Sequence, residues 1–340
     1  MKVYTHYPTG GHLEEVRALA QRAEALGYDG ITFAENKHDP FVLGAFIAAH
    51  TQRVAIGTVV AIAFSRSPMS IAHTARTLQQ LSHGRFELGL GTSLKPLNEQ
   101  QYSVPWSHPA ARMREYIQSL RAIWDCWQNG TQLNYQGEHY SFSLMTANFN
   151  PGPSEYPSIP VYIAAMGPMM CRLVGECCDG ILTHSFTTRR YMHETVLPRI
   201  DAGVKLSGRA RKDLAIAAGS WICTGATEEE VQQAREEVRR TMTQYAVVRT
   251  YKGVMDLHGW GETCLRLREL MLKRQWDKMP ALITDEMLDT FSVSGTYDTI
   301  GPKLKERFGD YATRIPISLP SNPKHDDRLG ALVEKLHKYA

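Results

Sequence analysis

Segments of β-type composition alternate with amphipathic helical segments eight times along this chain, and that alternation constrains the fold more than any other feature. Lys2 to Tyr7 reads as a strand, and from His12 the apolar Leu13, Val16, Leu19, Ala20, Ala23 and Leu26 recur at helical spacing before Gly27. Gly30 to Ala34 and Phe41 to His50 repeat the pair. Arg53 to Ile62 is the third strand, and Ser67-Pro68 starts the third helix with a capping hydroxyl ahead of a proline. Arg85 to Gly91 and Ala110 to Trp127 complete a fourth unit.

The rhythm then breaks over Gly130 to Pro160, where Leu133 to Tyr135 and His139 to Phe142 flank a Gln136-Gly137 turn and read as a small hairpin. It resumes with Val161 to Ala165, a helix over Pro168 to Cys178, Gly180 to Thr183, and a helix over Arg190 to Leu206. Leu214 to Cys223 reads as the seventh strand, and Thr227 with Glu230 makes a capping box for a charged helix reaching Tyr245. A second insertion runs from Arg249 to Ser292 with its own helix over Thr263 to Lys273. Asp298 to Phe308 (helix), Arg314 to Leu319 (eighth strand) and Asp326 to Lys338 (helix) close the chain. No Pro/Gly-rich linker divides it. The expectation is a single (β/α)8 TIM barrel over residues 1–340, with insertions at about 130–160 and 249–292, rather than a doubly wound sheet.

Composition narrows the partners. With 43% hydrophobic and 21% charged residues, the chain can bury a large core without covalent staples. A formal charge of +3 argues against binding a phosphate backbone. The six cysteines contain no CxxC pair and read as buried thiols of a reducing compartment. No apolar run reaches the ~18 residues of a membrane span, and the N-terminus lacks a signal-peptide core. These features predict a soluble cytoplasmic protein with a small-molecule substrate and neither nucleic-acid nor membrane partner.

In such a barrel, reactive groups sit where strands end. The second strand ends in Glu35-Asn-Lys-His38-Asp-Pro40, two carboxylates, an ammonium and an imidazole in one turn. An imidazole titrates near ~6.5, which suits proton transfer at neutral pH. The plainer reading is that Asp39-Pro40 starts a helix and His38 is solvated. After the fourth strand, Gly89-Leu-Gly-Thr-Ser-Leu94 resembles a dinucleotide loop, but Lys95-Pro96 denies it a helix start, so it is no Rossmann fingerprint. The fifth strand ends in Ala165-Met166-Gly167-Pro168, where free N–H groups at a helix start favour a phosphate or carboxylate, or where Gly-Pro is only a tight turn. His184 puts a further imidazole at the mouth, for catalysis or a cofactor contact, or equally in a supporting or solvated role. Trp106, Phe149 and Trp260, from loops and insertions, hint at an apolar or ring-bearing substrate. No HExxH, EF-hand, Walker A or GxSxG sequence occurs, so no bound metal is expected. A metal-dependent hydrolase using His6, His38 and His184, and a non-catalytic flavin-binding or purely structural barrel, are the competing classes.

Five stretches, taken in order and spacing, carry a resemblance. They are Glu35 to Phe41, Gly57-Thr58 with Ala63 to Pro68, Ser82 to Thr92, Pro105 to Glu115, and Cys178 to Leu182. Over nearly its whole length the chain resembles the bacterial-luciferase-like superfamily, and within it the oxidoreductases that use coenzyme F420, a deazaflavin. The resemblance implies a (β/α)8 barrel, a homodimer, and a flavin-type ring at the strand C-termini. It implies a non-proline cis peptide in a bulge after Gly57-Thr58, at Val59-Val60, pressing on one ring face, with Thr58, Val59 and Val60 as cofactor contacts. Asn98 would lie beside the ring's polar edge, and Ala165, Met166, Gly167 and Pro168 would line the phosphate-bearing chain, with Met166 where relatives often carry a second glycine. The implied reaction is hydride transfer between C5 of the ring and a substrate carbon, with His38 moving the proton and Glu35 orienting or polarising it. An FMN-dependent monooxygenase on the same scaffold is the nearest rival.

Overall fold

The structure, a computed structural model, describes residues 1–8 and 10–339. Eight parallel staves form one closed sheet: β1 (Lys2–His6), β2 (Gly30–Phe33), β3 (Ala55–Thr58), β4 (Phe86–Gly91), β5 (Val161–Ala164), β6 (Gly180–Leu182), β7 (Ala215–Ala217) and β8 (Arg314–Pro316). β1 pairs with β2 at Tyr4↔Gly30 and with β8 at Lys2↔Arg314, and β3 pairs with β4 at Ile56↔Phe86, so no edge is left open. The helices that follow the staves, among them α1 (Val16–Ala25), α2 (Pro40–His50), α3 (Pro68–Leu81), α4 (Pro109–Asn129) and α5 (Pro168–Cys177), coat the outside. The architecture is the (β/α)8 barrel that the alternation predicts.

Local chemistry sets the boundaries. Asp39 caps α2 by accepting from the N–H groups of Phe41 and Val42, and Ser67 caps α3 by accepting from Met69 N–H. The capping hydroxyl of Thr227 accepts from Glu230 N–H, while the Glu230 carboxylate turns back to Ala226 N–H, one residue earlier than a capping box requires. Outward-facing residues such as Ile31, Ile56, Leu88 and Ile181 are fully buried under the helices and form the main core.

The seventh strand is shorter than expected. β7 ends at Ala217, and the chain bends at Gly219, where a Cβ would lie 1.9 Å from the Thr183 carbonyl oxygen. Trp221–Gly225 then leaves the barrel and pairs in parallel with Ser292–Thr296 as a separate two-stranded sheet. The second insertion carries three helices, Lys252–Leu257, Gly261–Leu272 and Asp285–Phe291, rather than one. The first insertion holds the expected hairpin, paired at Tyr135↔Phe142. No helix among the described residues is long and apolar enough to cross a membrane.

Candidate active site

The barrel interior has a charged floor. Tyr4, Glu87, Tyr162 and Arg314 point inward from β1, β4, β5 and β8; Arg314 pairs with Glu87, and its guanidinium lies 4.5 Å from the centroids of both tyrosine rings. Tyr4 Oη donates to Glu87 Oε1 at 3.0 Å. Gly30 and Gly180 make room for the rings: a Cβ at either would sit 2.2 Å from Tyr4 or 2.7 Å from Tyr162. Burial works against the Arg314 charge, but the Glu87 carboxylate overrides it and the guanidinium pKa is raised; burial, then Glu87, raises both tyrosines, which stay protonated.

Above the floor the lumen opens. Inward positions on one strand alternate with outward ones, and their exposure grows toward the C-terminal end: Tyr4, His6, Pro8 on the β1 side, and Arg314, Pro316, Ser318 on the β8 side, pass from buried to exposed. On β7 the inward Ala215, Ala217 and Gly219 are part-exposed while the outward Ile216 and Ala218 are buried. The walls carry small side chains, Thr32, Ala34, Ala164, Ala217 and Gly219, all but Thr32 part-exposed.

One wall is a break in the third stave. Between Thr58 and Ala61 the chain steps out of the ladder, with a cis peptide at Val59-Val60, and resumes as Ala61–Ile62 beside Leu90–Gly91. Val59 N–H donates to Phe33 O at 2.7 Å and Glu35 N–H to Val60 O at 3.1 Å. The Thr58 hydroxyl repairs the gap by donating to Gly89 O (2.6 Å) and accepting from Gly89 N–H (2.8 Å). Thr58 is therefore buried and shapes the wall, while Val59 and Val60 are part-exposed on it.

The loop after β2 is tied to this wall. Arg66 Nη1 reaches both oxygens of Glu35 (2.8 and 2.7 Å), Ile62 N–H donates to Glu35 Oε2 (2.7 Å), and Arg66 Nη2 pairs with Asp39 (2.9 Å). Burial, and then the Glu35 charge, raise the pKa of the nearby Tyr102. With its lone pairs so occupied, Glu35 is a brace between two loops. His38, on the same loop, is part-exposed, and its Nε2 lies 3.3 Å from Gly11 O. His6, at the end of β1, is a lumen residue that sequence reasoning brought in only for the metal-dependent alternative; its signal is the even-numbered alternation of β1. Thr32 Oγ1 donates to Thr5 O, so His6 Nδ1, 3.3 Å from that hydroxyl, acts as the donor and Nε2 keeps its lone pair. Burial lowers its pKa and holds it neutral.

Asn98 lies in the π-helical turn Leu97–Gln101 and is fully buried; Nδ2 donates to Thr92 O (2.9 Å) and Leu94 O (3.0 Å), and Oδ1 has no partner among the described residues. At the end of β5, Ala165 and Met166 are buried, Gly167 is part-exposed and Pro168 exposed. The Met166 side chain is held back against the Thr187 hydroxyl (3.2 Å to sulfur), and nothing lies within 4 Å of a would-be Gly167 Cβ. Space is thus left in front of the N-terminus of α5, whose first N–H groups have no partner in the helix.

His184 stands apart from these. Its ring stacks on Tyr251 (4.6 Å) and meets Tyr245 edge-on (4.5 Å), in an aromatic group with Phe186, Trp221 and Phe291. Burial pushes its pKa down to about 4. The unfolded chain takes up this proton near ~6.5. The stability gained from keeping His184 neutral is therefore complete above that value and is lost as pH falls toward about 4, a loss on the order of 3 kcal/mol. Denaturant unfolding at about pH 7.5 and about pH 4.5 should show a smaller acid loss in His184→Phe than in the parent; equal losses would clear His184 of this role. Of the aromatic candidates, Trp106 packs edge-on to Phe64 and Trp260 stacks on His258, but Phe149 is exposed in a groove against α3 with Met69 and Leu144. His6, His38 and His184 form no three-ligand group among the described residues.

Comparison with known proteins places this geometry. Residues 2–314 match the family model described as luciferase-like monooxygenase. An uncharacterized protein of Mycobacterium tuberculosis is 40% identical over 311 residues, covering 89% of this chain and 92% of that one. The 5,10-methylenetetrahydromethanopterin reductase of Archaeoglobus fulgidus is 27% identical, covering 91% and 90%. Among solved structures, the coenzyme F420-dependent tetrahydromethanopterin reductase from Methanopyrus kandleri superposes with a TM-score of 0.81 at 18% identity over 99% of both chains.

Proposed function

This chain belongs to the luciferase-like monooxygenase family, and on that premise we propose that it is a coenzyme F420-dependent oxidoreductase acting on a small organic substrate. The observation that carries the reading is the barrel mouth: small, part-exposed lumen walls above a charged floor, with Val59 and Val60 part-exposed on one side and an uncrowded helix N-terminus at the rim. The 31% identity over 210 residues to a protein named F420-dependent glucose-6-phosphate dehydrogenase supports the deazaflavin reading.

The residues present fit such a group. When bound, a deazaflavin supplies a ring carbon that exchanges a hydride with the substrate. Val59 and Val60 present an apolar face on which a flat ring rests. Asn98 Oδ1, an orphaned acceptor, suits an N–H on the ring's polar edge. The free N–H groups after Gly167, with Met166 turned away, suit a phosphate. Glu35, through Arg66 and Ile62, fixes the loop carrying His38 relative to the Val59-Val60 wall. His38 carries the proton: its imidazole is part-exposed on the loop after β2, with Nε2 3.3 Å from Gly11 O. His6, neutral beneath, offers an acceptor nitrogen without competing charge.

Titration of the purified protein with F420 and with FMN, followed by ring absorbance, tests the reading. Saturable F420 binding with weak or absent FMN binding is expected. Tight FMN binding without F420 binding transfers the chain to the flavin monooxygenases, and binding of neither returns it to a non-catalytic barrel.

A further inference from the structure

We propose that His108, Glu138 and His139 form a binding site for one borderline divalent metal ion of the zinc class, which fastens the hairpin insertion to the start of α4. Their candidate ligand atoms all lie within 4.8 Å of one another, the one such three-residue group among the described residues. Two imidazoles and a carboxylate suit zinc, cobalt or nickel rather than magnesium or calcium, and three protein ligands leave a fourth position for water.

The three residues come from places held rigidly. Glu138 and His139 sit in the loop of the hairpin that pairs Tyr135 with Phe142. One carboxylate, Glu115 of α4, accepts from three successive backbone N–H groups there, those of Glu138 (3.1 Å), His139 (2.7 Å) and Tyr140 (3.2 Å). That clamp fixes the loop while leaving both side chains free to coordinate. His108 precedes α4 and has left-handed backbone angles, φ 33° and ψ 60°, uncommon outside glycine. His139 Nε2 is shielded from water and has no hydrogen-bond partner among the described residues. A shielded imidazole nitrogen without a partner is what a missing ligand bond leaves behind.

The surroundings favour a cation. Glu138 and Glu115 put two negative charges near the site. The nearest guanidinium, Arg112, is committed elsewhere: it donates to Tyr140 Oη (3.0 Å) and Pro105 O (2.9 Å) and lies over the Phe64 ring. Ideal tetrahedral zinc ligands, bonded at about 2.0–2.1 Å, lie closer together than 4.8 Å. The exposed side chains of His108 and Glu138 are free to close that gap. The three ligands are none of the residues assigned to the redox reading, and metal binding is read without cofactor, so its test and that of the redox reading are distinguishable.

Cobalt(II) titration of the tag-free full-length protein is the experiment. The expected result is one saturable equivalent with the visible bands of a nitrogen- and oxygen-ligated ion, without the near-ultraviolet charge transfer of thiolate ligands. The His108→Ala/His139→Ala double variant should lose this binding, and Glu115→Gln should weaken it by about tenfold or more through the loosened loop. Cobalt or zinc should raise the melting temperature of the parent and not of the double variant. No saturable equivalent in the parent, a thiolate band, or unchanged binding in a folded double variant would overturn the proposal.

Discussion

Glu87→Ala should lower the unfolding free energy by about 3–5 kcal/mol, the range for stranding one member of a buried ion pair. Arg314 is 5% exposed and would keep its charge between two tyrosine rings with its counter-ion gone. Adding Arg314→Met should recover much of the loss, because a flexible apolar side chain removes the stranded charge and fills part of its volume. Equilibrium denaturation of the two single variants and the double variant forms the cycle. Strict additivity would mean that Glu87 and Arg314 act separately and that the floor is not one unit.

His38→Ala should lower kcat by about 10²–10⁴-fold, the usual contribution of a positioned acid or base, with F420 affinity little changed. The separation of the two readouts matters, because a merely structural role would move both. His6→Ala is the paired control: the lumen histidine is held neutral by burial, so its loss should alter binding more than the pH profile. Full turnover in His38→Ala would remove that residue from the chemistry, and a collapse confined to His6→Ala would reassign the proton to β1.

The barrel was legible in the sequence because each stave and helix announces itself over a short window. Ile31, Ile56, Leu88 and Ile181 face outward into the helices, and the caps at Asp39 and Ser67 are local signals. The β7 exit was not legible, since Leu214 to Cys223 reads as one strand in which Gly219-Ser220 is a weak interruption, and the bend depends on how closely Gly219 approaches Thr183 across the barrel. The Ser292–Thr296 strand was missed for a similar reason: its only partner, Trp221–Gly225, lies about seventy residues earlier in the chain. Within the site, positions at strand ends could be read but partners could not. Glu35 looks like a catalytic carboxylate until Arg66, from another loop, occupies it. Thr58 looks like a contact until its hydroxyl proves to be splicing Gly89 into the wall. His139 carried no signal at all, because its neighbour His108 is thirty-one positions away.

The closed floor also imposes a sequence of arrivals. With Tyr4, Tyr162, Arg314 and Glu87 sealing the far end, two guests cannot pass each other inside the barrel. Whichever rests deeper is first in and last out, and steady-state kinetics should take a compulsory-order form, with both guests leaving after each hydride transfer.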